Sequence, residues 1–206
     1  SENIPDSQIT IASRCQNVHF HPISPEAMKK WLSNKGLSPD KIELISIAAG
    51  GDLERANDLI SDTQVASRYE LWKETPNSIG SEGYKIAVVV DEIQKVIDQA
   101  QEGITLRHQE ESEALGELEK QMGIRGSGRK ELEAKHKREI RRFRTDELQF
   151  GLSIIANLYK EELVEAPNSS NIRAIEKIRS TMVTLGRNPN EKLLLQSLFI
   201  SLSEFK

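Results

Sequence analysis

The chain has 206 residues, 37% of them hydrophobic, 29% charged and only 5% aromatic, with a formal net charge of −4. This balance suits one large domain or two small ones. The scarcity of aromatics argues against an all-β core, and the mild negative charge gives no global reason to expect nucleic acid as a partner. The longest purely apolar run, residues 86–90, is far too short to span a bilayer, and no basic stretch followed by an apolar one stands at the start; neither membrane insertion nor a secretory signal is expected.

Long stretches rich in Glu, Lys, Leu, Ile and Ala, with only seven prolines, predict a mainly α-helical protein. Cys15 is the single cysteine, which excludes an internal disulfide and a cysteine-rich zinc site and points to a reducing, cytoplasmic setting. It reads as a packed thiol. His19 and His21 would share one face of a strand, but two ligands without a third make no metal site, and no metal is expected.

In chain order, Gln8, Ile9, Thr10 and Ile11 alternate polar and β-branched residues as a strand does, and lead into the segment Thr-Ile-Ala-Ser-Arg-Cys-Gln at 10–16. Arg14 stands near the tip of that strand, where it can be aimed outward. A lone strand cannot satisfy its own backbone groups, so residues 1–22 are expected to be the end of an α/β unit.

Ser24-Pro25-Glu26 then supplies a capping hydroxyl and a first-turn proline for a helix through Met28, Trp31 and Leu32, which Gly36 stops. Ser38-Pro39-Asp40 repeats the cap for a second helix with Ile42, Leu44, Ile45, Ile47 and Ala48 as its buried face. Gly50-Gly51 break it, and Asp52 caps a third helix carrying Leu53, Ala56, Leu59 and Ile60. Residues 63–83 are less regular, and Thr75-Pro76-Asn77-Ser78 with Gly80 and Gly83 reads as a connection between domains. The expected division is 1–22, 23–75 and 76–206.

Beyond it, a long helix is predicted over residues 84–122, with Ile86, Val89, Ile93, Val96, Ala100, Ile104, Leu115, Leu118 and Met122 near a heptad spacing. His108 and Glu111 interrupt the register, which predicts a wet middle turn. Residues 123–128, Gly-Ile-Arg-Gly-Ser-Gly, make a hairpin tip. A second long helix follows from about residue 129 through Ile140, Phe143, Leu148, Leu152, Ile155 and Tyr159, antiparallel to the first. Residues 89–120 carry nine acids and three bases and residues 125–144 nine Lys or Arg and three acids, giving the arms charges of −6 and +6. Facing each other they attract, although exposed pairs contribute only about 0 to 1 kcal/mol each. Two further helices, 171–185 and 190–203, bury Ile172, Ile175, Ile178 and Met182, then Leu193, Leu194, Leu198 and Leu202. No internal repeat is evident.

No phosphate-binding loop of the form GxxxxGK[ST] occurs; residues 123–128 lack its lysine and its preceding strand. No nucleophile elbow or HExxH places Ser, His and Asp together. The chain is therefore not expected to be an enzyme by itself or to hold a cofactor.

Three segments carry a resemblance. Residues 10–16, followed by Phe20, Pro22, Ile23 and Ser24, are similar to the T-I-x-S-R-C-Q strand and F-x-P-L-S exit of the AAA+ core in sliding-clamp loaders. Ile47-Ala48-Ala49-Gly50-Gly51-Asp52-Leu53-Glu54-Arg55-Ala56 resembles the lid segment of that family. Arg144-Thr145-Asp146-Glu147-Leu148, with Tyr159, Leu163 and the ending Asn188-Pro189-Asn190 before Leu193, Leu194 and Leu195, resembles the collar of bacterial DNA polymerase III clamp-loader subunits. The resemblance spans nearly the whole chain, and only the SRC segment is highly specific.

The resemblance implies a three-helix lid and a helical collar with a long antiparallel hairpin. It also implies that Arg14 is an arginine finger acting in trans on ATP bound by a neighbouring subunit, with Thr10 and Arg55 in sensor-like positions. A planar guanidinium that donates two parallel hydrogen bonds to phosphate oxygens suits such a role; the competing reading pairs Arg14 with a carboxylate at a domain seam. Motor subunits of the gamma/tau type carry a sensor arginine where Glu54 stands here, and a carboxylate would repel a triphosphate. Arg55-Ala56 instead matches the end of the G-G-S-P-G-R-A pattern of the non-hydrolysing delta prime type, from which Asp52, Leu53 and Glu54 depart, and these departures keep a motor subunit of the gamma/tau type as the alternative. The implied partners are the other loader subunits through the collar, and the sliding clamp and primer-template DNA through the assembled complex. An alternative of another class is a helical-hairpin interaction or DNA-binding module acting through the basic arm. Against it, the acidic arm is adjacent and no aromatics interleave to stack bases, so a solvated, acid-paired helix face is the favoured expectation there.

Overall fold

The computed structural model describes Arg14 and residues 23–80, 82–123, 126 and 128–205. Among the described residues there are eight α-helices and no strand: α1 Pro25–Ser33, α2 Pro39–Ala48, α3 Leu53–Ser61, α4 Val65–Ser78, α5 Gly83–Met122, α6 Arg129–Glu165, α7 Ser169–Leu185 and α8 Glu191–Ser203. The expected strand, with Thr10, Cys15, His19 and His21, lies outside the described residues. The chain divides into two compact units, Ser1–Asn57 and Asp58–Lys206, with the division inside α3.

In the first unit α1 packs on α2. Each starts where a serine side chain relieves an orphan backbone donor ahead of proline: Ser24 Oγ accepts from the Ala27 N–H at 3.3 Å, and Ser38 Oγ from the Lys41 N–H at 3.4 Å. Met28 and Leu32 of α1 and Ile45 and Ala48 of α2 are buried, worth about 1.5–3 kcal/mol for each large side chain. Gly50 and Gly51, with φ of 58° and 84°, carry the turn that a β-carbon would strain, and Asp52 Oδ1 then accepts from the N–H groups of Glu54 and Arg55 to open α3.

The second unit is a bundle in which α4 packs on α5 and α6, α6 on α7, and α8 on α5 and α7. The irregular stretch expected over 63–83 is largely helix. Val65, Arg68, Trp72 and Thr75 repeat at three- and four-residue intervals and are all buried in α4. The pattern is masked because two of its members are polar. Tertiary burial carries the helix past Pro76, which costs it one backbone hydrogen bond near its end.

The hairpin of α5 and α6 turns at Gly123, whose φ of 66° ends α5. Its proximal part is apolar as expected, although Val90 and Ile97 are more deeply placed than Val89 and Val96. Two corrections apply farther out. His108 is 6% exposed, so the middle turn is not wet, and Leu118 and Met122 are 45% and 61% exposed instead of lining the seam. The helix phase drifts against a strict heptad over so long a run, and it brings Glu119 into the seam, where Arg129 pairs with it. Ile172 and Leu193, expected inward, are likewise exposed; Asn171 and Leu195 occupy the buried face.

Candidate functional site

Of the residues singled out by the sequence, Arg14 lies exposed in a turn, and Thr10 falls outside the described residues. Arg55 stands on α3 with its Nε donating to the carbonyl oxygen of Ala48 at 2.8 Å. Ala48 is the last residue of α2, so the guanidinium meets the partial negative charge of that helix end. Glu54 is exposed on the same helix.

The segment Arg144-Thr145-Asp146-Glu147-Leu148 supplies two ionic nodes of the second unit. The Arg144 guanidinium donates to both carboxylate oxygens of Glu191, to Asp98, and to the side-chain oxygens of Gln94 and Gln101, tying α6 to α5 and α8. Burial works to lower the pKa of Arg144, but Glu191 and Asp98 outweigh it and hold the group above its ordinary value. One turn on, Glu147 is wholly buried and accepts from Arg68 Nε of α4 at 2.8 Å, while Arg68 also donates to Asp62 at 2.5 Å. Burial opposes charge on Arg68 too, and its two carboxylates raise it past that penalty. Gly151, one turn farther along α6, lies against the Trp72 ring. Arg68, Asp98 and Glu191 escape sequence reasoning, because their partners lie 46 to 79 residues away along the chain.

In mid-hairpin the two arms carry the same short pattern: Arg107-His108-x-x-Glu111 on α5 and Lys135-His136-x-x-Glu139 on α6. The antiparallel arrangement crosses them. His108 Nε2 meets Glu139 Oε2 at 3.0 Å, His136 Nε2 meets Glu111 Oε2 at 3.0 Å, and the rings stack 3.9 Å apart at 9°. Arg107 pairs with Glu139, and Lys135 with Glu111 at 3.0 Å. The hydrogen bond from His136, then that from Lys135, pulls the Glu111 carboxyl from 4.5 to about 2. Burial raises Glu139, but His108 and Arg107 outweigh it, so this carboxyl is also lowered. Ionised carboxylates only accept, so each Nε2 carries a proton and donates. Stacking sends the two Nε2 atoms to separate carboxylates instead of to one point, and among the described residues no group of three or more His, Cys, Asp or Glu could hold a metal ion. The repeated cation-His-x-x-Glu was the available signal for this layer.

The basic arm is only partly paired. Arg129, Lys135, Arg142 and Arg144 each face a carboxylate, whereas Lys130, Lys137, Arg138 and Arg141 are exposed and form no ion pair with any described residue. This corrects the expectation of an acid-paired face over that part of α6. Near the other end of α6 a cavity of about 470 Å³ is lined by Lys73, Tyr159, Glu162, Asn171 and Phe205 among others, and burial followed by the charge of Glu162 pushes the Tyr159 hydroxyl up.

The chain matches no protein-family model, no curated protein and no solved structure. No helix among the described residues is long and apolar enough to cross a membrane.

Proposed function

We propose that this chain is the C-terminal part of a non-hydrolysing, delta prime-type subunit of the bacterial sliding-clamp loader, working in the cytoplasm. The observation that carries the reading is the segment Thr-Ile-Ala-Ser-Arg-Cys-Gln at 10–16, with Arg14 exposed in a turn. Support comes from the order of the remaining segments. The Gly-Gly turn opens a short third helix, and Arg144 and Glu147 of the collar-like segment fasten α6 to α4, α5 and α8. Such a cross-braced bundle suits a scaffold that joins sibling subunits and brings Arg14 to their ATP. Glu54, exposed where a motor subunit has its sensor arginine, disfavours ATP hydrolysis in cis. The sliding clamp and primer-template DNA are then partners of the assembled complex.

The test is Arg14→Ala in the full-length subunit within a reconstituted loader. Fingers of this chemistry are worth roughly 10³ to 10⁵ in rate at the site they serve, so DNA- and clamp-stimulated ATPase should lose the contribution of that site. Arg14→Lys should not restore it, because an ammonium cannot make the paired contact. Unchanged ATPase in Arg14→Ala removes the finger role.

A further inference from the structure

The unpaired cations of α6 form a row. At about 100° per residue, Lys137, Lys130, Arg141 and Arg138 lie about 100°, 120°, 140° and 200° around the helix from His136. His136 stacks on His108 of α5, so the row faces away from the acidic arm. The row rises about 16 Å along the axis from Lys130 to Arg141. Glu131 and Glu133, the two acids of this stretch other than Glu139, fall at its edges. All four bases are exposed, while the arm's other described bases are held by carboxylates.

We propose that this outer face of α6 is a docking surface for the phosphate backbone of duplex DNA. The charge pattern is selective in what it omits. The row contains no aromatic residue, whereas single-strand binders stack bases on aromatics. It contains no large apolar anchor either, with Ala134 the one apolar residue among the cations, whereas protein partners bury an apolar core. The four cations span about 16 Å along one exposed face of α6, where they can neutralise phosphates along a duplex backbone, and counterion release then drives binding without base readout. The surface stands on the hairpin alone and does not depend on the clamp-loader reading.

Fluorescence anisotropy of the purified chain with a blunt 20-base-pair duplex, from about 50 to 200 mM salt, tests it. Four neutralised phosphates give a log–log salt slope of about −3.6, an affinity loss of roughly a hundredfold over that range. The variant K130Q/K137Q/R138Q/R141Q should lose binding even at the lowest salt, while K160Q/R173Q/K177Q/R179Q, with the same change in charge elsewhere in the same unit, should keep the wild-type slope. If the row variant has lost helicity by circular dichroism, Arg141→Gln alone is read, and the slope should become shallower by about 0.9. No binding of the wild-type chain at 50 mM salt overturns the proposal, as does equal loss in the two quadruple variants or an unchanged slope in Arg141→Gln. Displacement of the duplex by polyglutamate or by a single strand at equal charge also overturns it.

Discussion

Replacing Gly151 by alanine sets helix propensity against packing. In an isolated helix the change gains about 1 kcal/mol. Here a β-carbon on Gly151 would stand 1.9 Å from Cε2, 2.0 Å from Cδ2 and 2.4 Å from Cζ2 of Trp72. Carbon atoms settle at about 3.5–4.0 Å, so the ring or the two helices must give by about 1.6–2.1 Å. Trp72 is 1% exposed and has no open side to move to. Overpacking of this kind costs about 3 kcal/mol or more, the upper end of the usual range, leaving a net loss of about 2 kcal/mol after the propensity gain. That lowers the melting temperature by about 4–8 °C for a chain of this size. Gly103→Ala and Gly116→Ala, on α5 with nothing within 4 Å of their added β-carbons, should instead gain about 0.5–1 kcal/mol each. Thermal unfolding followed by circular dichroism compares the three, and Trp72 fluorescence in a Trp31→Phe background reports whether the ring has moved. A Gly151→Ala protein melting at or above the wild-type temperature would refute the packing argument.

Two further perturbations read the ionic layers. Arg68→Met leaves Glu147 buried without its cation and should cost about 3–5 kcal/mol in urea unfolding, whereas adding Glu147→Leu should recover most of that loss; a double variant as unstable as the single one would show that the pair is not what the site loses. For Glu111 the folded carboxyl at about 2 lies below the ordinary 4.5, so its contribution is complete above about pH 4.5 and is lost as the pH falls toward 2. Acid unfolding of Glu111→Gln should therefore be flatter than wild type through that window, and an identical profile would mean that His136 and Lys135 do not hold the carboxylate in solution.

The depth of each element in the sequence follows the range of the forces that form it. Helix starts at Ser24 and Ser38 and the break at Gly50-Gly51 are local events, set by a side chain and a backbone three residues apart, and they stand where the sequence puts them. The two long arms and their opposite charges are legible for the same reason. Register was not: Leu118 and Met122 suit a heptad but face out, and His108, which breaks it, is buried, because the cross-paired His136 and Glu139 arrive from the other arm. Helix α4 hid behind Pro76 until Glu147, 79 residues beyond Arg68, supplied the carboxylate that lets an arginine be buried. Composition and local pattern thus determined that the chain is helical, where several of its helices begin and which way its charges lean. Only the packed structure decided which polar groups are interior and which cations of α6 are left facing solvent, since both depend on partners distant in sequence.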